Sequence, residues 1–248
     1  GLFEAQLPAI LCLQNGVDNE PAIAALLGAQ KVISGTVTSA VGRRGVGDIV
    51  LEKLRGVGVA AGHPLTHQLV EALDGAYLNA KLFPKAADMK WSKLLTNLLA
   101  NPTSAILDMT ASEVFAHPGL YRLEIAQLSE CLAVMKAQGI DVVDLPGTPV
   151  RALALATRLP LWLSKPLLSK AAGAGRGAKM PSFHIDLHSG RGKSEVTYLH
   201  GGVARAGEKF GVPTPVNRLL TDTLLEMTAG NIPMNELAGK PEKLLARL

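Results

Sequence analysis

The chain has 248 residues, of which 48% are hydrophobic and 19% charged, a balance that belongs to folded proteins and excludes intrinsic disorder. Its 25 Lys+Arg against 21 Asp+Glu leave a formal charge of +4, which suits a small anionic ligand. Aromatic residues are only 4% and no dense Lys/Arg stripe interleaves with them, so nucleic acid is not an expected partner.

In chain order, "AILCLQN" (9–15) is a short apolar run ending in Asn-Gly, the pattern of a buried strand and a turn. "EPAIAALLGAQ" (20–30) predicts a helix opened by Pro21. "KVISGTVTSAVGRR" (31–44), "DIVLEKL" (48–54) and "NAKLFP" (79–84) predict strands among glycine clusters, with a helix at about 66 to 74 between them. "GRRGVG" (42–47) reads as a hairpin turn whose arginines are within reach of a phosphate. "GVGVAAG" (56–62) has G-x-G-x-x-x-G spacing, and no continuous apolar strand leads into it. It therefore predicts a glycine-rich strand and turn rather than a phosphate-binding fingerprint.

From about Asp88 onward strands give way to segments of 3.6-residue period at 88–101, 103–115, 119–138, 149–157, 160–171, 194–210 and 214–229. The first part is α/β and the second helical, with a boundary near Pro84 to Ala87. The longest apolar neighbourhood, 150–168, is interrupted by Arg151, Arg158 and Lys165 and cannot cross a membrane. "SKAAGAGRGAKMPS" (169–182) predicts a mobile loop. Cys12 and Cys131 both lie in apolar periodic segments, which predicts buried free thiols in a reducing, cytoplasmic compartment.

Within "KWSKLLTNLLANPTSA" (90–105), a continuous helix would place Asn97 about 40° and Asn101 about 80° from Lys93, on one narrow face. Trp91, Leu94, Leu95, Leu98 and Leu99 occupy the other. Asparagine is a mediocre helix former, so two of them beside a lysine suggest amides chosen to hold a carboxylate or hydroxyl. The plainer reading is a solvated Lys93, with Asn101 ending the helix before Pro102.

His184 and His188 have the i,i+4 spacing of two metal ligands, but the acid of H-E-x-x-H is missing and Asp186 points elsewhere, so no metal is assigned. His63 and His67 repeat the spacing without a carboxylate neighbour and read as surface or packing residues. G-x-S-x-G is absent, which leaves a serine hydrolase unsupported. In "GKSEVTYLHGGVARAGEKFG" (192–211), Ser194 is a candidate N-cap with Glu195 in the first turn, where the helix dipole favours its charge. Gly201 and Gly202 in the interior of that helix predict a close approach, either of a ligand or of another helix.

Taken together, these segments resemble the 2-dehydropantoate 2-reductase (ketopantoate reductase) family. "LQNGVDNE" (13–20) is similar to its LQNG-x-x-NE segment and "SGTVTSA" (34–40) to its glycine-threonine strand. "WSKLLTNLLANPTSA" (91–105) is similar to W-x-K-x-x-x-N-x-x-x-NPLTA, "SFHIDLHSGRGKSEVTYLHG" (182–201) to S-M-x-x-D-x-x-x-GR-x-TEIDYING, and "GVPTPVN" (211–217) to G-x-x-TP-x-N.

The resemblance implies the later part of a Rossmann-type NADP-binding domain over 1–86, followed by a helical, 6-phosphogluconate-dehydrogenase-like substrate domain over 87–248. It implies NADPH-dependent reduction of ketopantoate to pantoate on the route to pantothenate and coenzyme A. Lys93 matches the catalytic lysine that protonates the carbonyl oxygen as hydride arrives. Asn97 and Asn101 match asparagines that orient the substrate, and Ser182 a serine near its carboxylate. Glu195 matches a glutamate that ties substrate hydroxyl and cofactor ribose together, and Asn15 an asparagine at the nicotinamide end. The expected partner is a small 2-oxo acid, with neither nucleic acid nor membrane, and a homodimer through the helical domain is also considered.

Three departures accompany the resemblance. The family's opening βαβ units with the true G-x-G-x-x-G have no counterpart, an expected shortfall of roughly 80 residues. "GRGKSE" is one residue longer than GR-x-TE. "NPTSA" replaces NPLTA, and "ASEVF" (111–115) stands where a glycine-glutamate pair is common, which allows a different 2-oxo acid. The alternatives are a reductase of another 2-oxo acid and a non-catalytic helical interaction module.

Overall fold

The computed structural model describes residues 7–160, 162–165, 168, 180–190 and 192–248. By packing, the chain divides into two compact units, Gly1–Leu94 with Ile140–Arg151, and Leu95–Gly139 with Ala152–Leu248.

The first unit is α/β. Its strands are β1 (Ile10–Cys12), β2 (Val32–Val37), β3 (Ala40–Arg43), β4 (Ile49–Lys53), β5 (Val57–Ala60) and β6 (Ala80–Phe83). Helix α1 (Asn19–Leu27) links β1 to β2, and α2 (Thr66–Gly75) links β5 to β6. The main sheet has the order β1-β2-β5-β6, with β1·β2 and β5·β6 parallel and β2·β5 antiparallel. Both parallel pairs are joined through a helix, as parallel strands require. Ile33, Val57 and Val59 form the core of this sheet, covered by Leu69, Val70 and Leu73 of α2.

The single long strand expected over 31–44 divides because Thr38 and Ser39 turn the chain out of the sheet. The Thr38 hydroxyl donates to Gly56 O at 3.0 Å and to Pro146 O at 2.8 Å, while the Ser39 hydroxyl accepts from the amides of Arg55 and Gly56, each at 3.0 Å. Side chains thus take the backbone partners that a continuing ladder would have used. Beyond the corner, β3 and β4 pair as the expected hairpin around residues 44–48.

The glycines of the 56–62 stretch serve packing. Gly58 lies inside β5, where an added Cβ would stand 2.8 Å from Met89 Sδ and 2.9 Å from Phe83 Cε2. A phosphate has no room there, consistent with the strand-and-turn expectation.

A buried ion pair ties helix α3 (Ala86–Leu98) to this unit. Lys90 Nζ lies 2.7 Å from Glu20 Oε1 and donates to the carbonyls of Gln14 at 2.6 Å and Gly35 at 3.3 Å. Both side chains are nearly inaccessible, so each charge depends on the other for compensation.

The second unit is helical: α4 (Asn101–Leu107), α5 (Ala111–Ala116), α6 (Pro118–Ala137), α8 (Ser182–His188), α9 (His200–Phe210), α10 (Pro215–Thr228), α11 (Met234–Leu237) and α12 (Pro241–Leu245), with α7 (Val150–Ala156) spanning the unit boundary. Residues 162–165 are helical, whereas most of the expected 160–171 helix and residues 169–179 of the expected loop lie outside the described residues. Helix α6 is the centre, packing against α5, α9, α10 and α12. Leu120, Tyr121, Leu128, Cys131 and Met135 are buried along it, each apolar side chain contributing about 1.5–3 kcal/mol by leaving water. Cys12 and Cys131 are buried free thiols, as expected. Among the described residues no helix is long and apolar enough to cross a membrane.

Two expected helices are broken. The 88–101 segment ends at Leu98, and Ala100 adopts a left-handed conformation (φ 53) before α4 begins at Asn101. The 103–115 segment breaks at Asp108 (φ 51) and restarts at Thr110, whose hydroxyl accepts from Glu113 N while the Glu113 carboxylate accepts from Thr110 N. That T-x-x-E capping box is visible in the sequence and prescribes a helix start there.

The Ala100 break is held by Glu124, which is fully buried on α6. Its carboxylate accepts from Ala100 N at 2.7 Å, from the Thr103 hydroxyl at 2.6 Å and from Gln127 Nε2 at 2.5 Å. Gln127 Oε1 faces His200 Nε2 at 3.0 Å, and burial pushes the His200 pKa down to about 3, so the ring is neutral and donates.

Glu124→Ala is expected to lower unfolding free energy by at least about 3 kcal/mol in urea melts, because several buried donors lose their acceptor together. Lys90→Ala is expected to cost about 3–5 kcal/mol by leaving the Glu20 carboxylate buried and uncompensated, and a double-mutant cycle with Glu20→Ala should recover part of that loss.

Candidate active site

Lys93 and Asn97 stand one turn apart on α3, both half-buried, at the i,i+4 spacing expected for them. Asn101 is not the third member of that helix. Because Ala100 turns left-handed, Asn101 opens α4 instead, and the single face expected for all three side chains does not exist.

The side chain of Asn101 is buried and acts on two helix ends. Its Nδ2 donates to Asn97 O at 3.3 Å, one of the carbonyls left without a helical partner at the end of α3. Its Oδ1 accepts from Phe183 N at 3.2 Å, in the first turn of α8. The hydroxyl of Ser182, the first residue of α8, lies 3.4 Å from both Oδ1 and Nδ2. Asn101 therefore fastens Ser182 and the Asn97 backbone to one point, while the Ser182 side chain stays exposed.

Glu195 is exposed, and its setting differs from the expected one. Ser194 does cap, its hydroxyl accepting from Val196 N at 3.2 Å. What it caps is a three-residue 3₁₀ turn, Glu195–Thr197, separate from α9. So short a turn supplies little of the dipole invoked for Glu195. Gly201 and Gly202 consequently lie in the first turn of α9 rather than its interior. A Cβ on Gly201 would meet Thr221 Cγ2 of α10 at 3.4 Å, so the close approach is a helix crossing.

Asn15 is exposed just beyond the carboxyl end of β1. Its carbonyl accepts from Asn19 Nδ2 at 2.6 Å, and the preceding carbonyl, that of Gln14, is the one held by Lys90. Sequence reasoning did not assign Lys90 or Glu20 a role, although both stand inside the quoted "KWSK" and "VDNE" segments. A pocket of about 350 Å³ in the same unit is lined by Gln30, Ile33, Ala60, Gly62 and His63, among others, and by none of the predicted site residues.

Comparison with known proteins matches this architecture. The family model described as "Ketopantoate reductase PanE/ApbA C terminal" matches residues 85–228, and "Ketopantoate reductase PanE/ApbA" matches residues 4–61. The chain is 27% identical over 217 residues to a 2-dehydropantoate 2-reductase of Streptococcus pyogenes serotype M1, covering 86% of this chain and 65% of that protein. It is 26% identical over 233 residues to one of Archaeoglobus fulgidus, covering 92% of this chain and 71% of the relative. The fold superposes on a PanE/ApbA family ketopantoate reductase from Ralstonia eutropha JMP134 with a TM-score of 0.73 at 22% identity, covering 90% and 67% of the two chains. It also superposes on D-mandelate dehydrogenase with NADH and anilino(oxo)acetate, with a TM-score of 0.72 at 20% identity, covering 93% and 72%. The chain thus spans about 65% of the length of the Streptococcus relative. With over half of its length matched by the C-terminal family model, an α/β part of Rossmann type and a helical part that follows it in sequence, the chain belongs to the ketopantoate reductase family.

Proposed function

We propose that this chain carries most of a nicotinamide-dependent 2-oxo acid reductase, with ketopantoate as substrate and NADPH as cofactor, acting in pantothenate and coenzyme A biosynthesis. The observation that carries the reading is the one-turn spacing of half-buried Lys93 and Asn97 on α3, followed by an Asn101 that is fastened to Ser182. The family membership and the named relatives support it. Residues 1–86 would form the cofactor part and residues 87–248 the substrate part.

The fit to a dinucleotide is partial within this chain. An exposed amide at the carboxyl end of β1, beside the parallel strand β2, suits the nicotinamide end, and Asn15 would hold it there. Glu195 would bind the ribose. The packed Gly58 supplies no phosphate cradle. When bound, the cofactor supplies the hydride.

The chain's own residues do the rest. Lys93, cationic and partly withdrawn from water, protonates the carbonyl oxygen and stabilises the negative charge developing on it. Asn97 offers donors and an acceptor to fix the substrate, and the Ser182 hydroxyl faces its carboxylate. Asn101, whose amide is engaged by protein groups, contributes chiefly by holding Ser182 and Asn97 in register. Reduction of a different 2-oxo acid is the second reading, favoured by "NPTSA" in place of NPLTA, and a substrate panel separates the two.

The test is NADPH consumption with ketopantoate in the native full-length protein. Lys93→Ala is expected to lower kcat by about 10²–10⁴-fold while leaving NADPH affinity unchanged, and equal kcat in variant and parent would refute the role. Glu195→Ala is expected to raise KM and lower kcat together, in the same assay, because the residue would position substrate and cofactor at once.

A further inference from the structure

A second cluster lies at the opposite end of the α4·α8 pair from Asn101. His184 and His188 stand one turn apart on α8 with their rings stacked, centroids 4.0 Å apart at an interplanar angle of 24°. Stacking sets the two Nε2 atoms side by side toward one carboxylate oxygen. His184 Nε2 lies 2.7 Å and His188 Nε2 4.0 Å from Asp108 Oδ1. Asp108 is the left-handed C-cap of α4 (φ 51), a conformation that aspartate tolerates better than most residues. The third ligand that the sequence spacing of the two histidines lacked is therefore supplied by another helix.

A hydrogen bond between Asp108 and one histidine does not account for the second. At 4.0 Å His188 is beyond hydrogen-bond reach, yet its Nε2 stands near the same oxygen. One potential ligand atom from each residue lies within 4.8 Å of the others. Two imidazoles and a carboxylate are the donor set that borderline divalent cations accept. With metal–ligand bonds of about 2.0–2.1 Å, tetrahedral ligand atoms stand about 3.3 Å apart, between the two distances observed here. Each ligand would need to move by less than about 1 Å. The side chains of Asp108 and His188 are 52% and 39% accessible, so an ion can enter and water can complete its coordination.

We propose that Asp108, His184 and His188 form a site for a divalent transition cation of the zinc class. Such an ion would bridge α4 and α8 at the end opposite the Asn101–Ser182 contact, so the placement of α8 would become metal-dependent. The site stands independently of the proposed reductase activity.

The test is a Zn²⁺ titration of the full-length protein against a chromogenic zinc indicator, with Mg²⁺ as control. The expected result is one equivalent of Zn²⁺ bound, a higher Tm with Zn²⁺ than with Mg²⁺, and at least about tenfold weaker binding in each of Asp108→Asn, His184→Gln and His188→Gln. Equal Zn²⁺ affinity in the parent and in a His184→Gln/His188→Gln double variant, or no binding by the parent, would overturn it. A readout on the unmutated protein guards against misfolded variants: Zn²⁺ should protect His184 and His188 from diethylpyrocarbonate while leaving His67 reactive. Equal labelling of His184 and His188 with and without Zn²⁺ would also overturn the proposal.

Discussion

The buried carboxylate of Glu124 holding the amide of Ala100 is the constraint on which the helical unit's geometry around the candidate site depends. A left-handed alanine costs roughly 1–2 kcal/mol relative to continued helix, and the amide it frees must find a partner away from water. Glu124 supplies that partner and recruits Thr103 and Gln127 to the same network. Through Gln127 the network reaches His200 on α9, and the Gln127 carbonyl accepts from Asn217 on α10 at 3.0 Å. A polar network so deeply buried admits few alternative arrangements, and so fixes where α3 stops and α4 starts.

The break changes what Asn101 is for. In one unbroken helix it would be a third polar residue on a shared face. Displaced to the start of α4, it serves as an acceptor for the first turn of α8 and a donor to the last turn of α3. Ser182, from a segment 81 positions away in sequence, is placed by that amide. The same helix pair is joined a second time where Asp108 meets His184.

Two lysines one turn apart on α3 differ in burial, Lys90 buried and Lys93 half-buried. The charge of Lys90 is absorbed by Glu20 and two backbone carbonyls, which pins the end of β1 where Asn15 follows. Lys93 is half-buried three residues later. Composition and spacing present the two as equivalent cations on neighbouring positions. Only the packing of Lys90 against the sheet shows that it has a structural task.

By itself the sequence determined the class of each half, the position of most elements, the buried thiols and the one-turn spacing of Lys93 and Asn97 on α3. These follow from hydrophobic period, glycine and proline punctuation, and neighbour relations within a few residues, all of which are local. Only the tertiary structure decided the breaks at Thr38 and Ala100, the antiparallel step between β2 and β5, and the separation of the 3₁₀ turn at Glu195 from α9, whereas the break after Asp108 has a local signal in the Thr110–Glu113 capping box. The breaks at Thr38 and Ala100 are each satisfied by a group distant in the chain, Pro146 for Thr38 and Glu124 for Ala100. A backbone conformation held by a partner tens of residues away leaves no periodic trace in its own neighbourhood, which is why local reading carried the 31–44 strand and the 88–101 helix straight through.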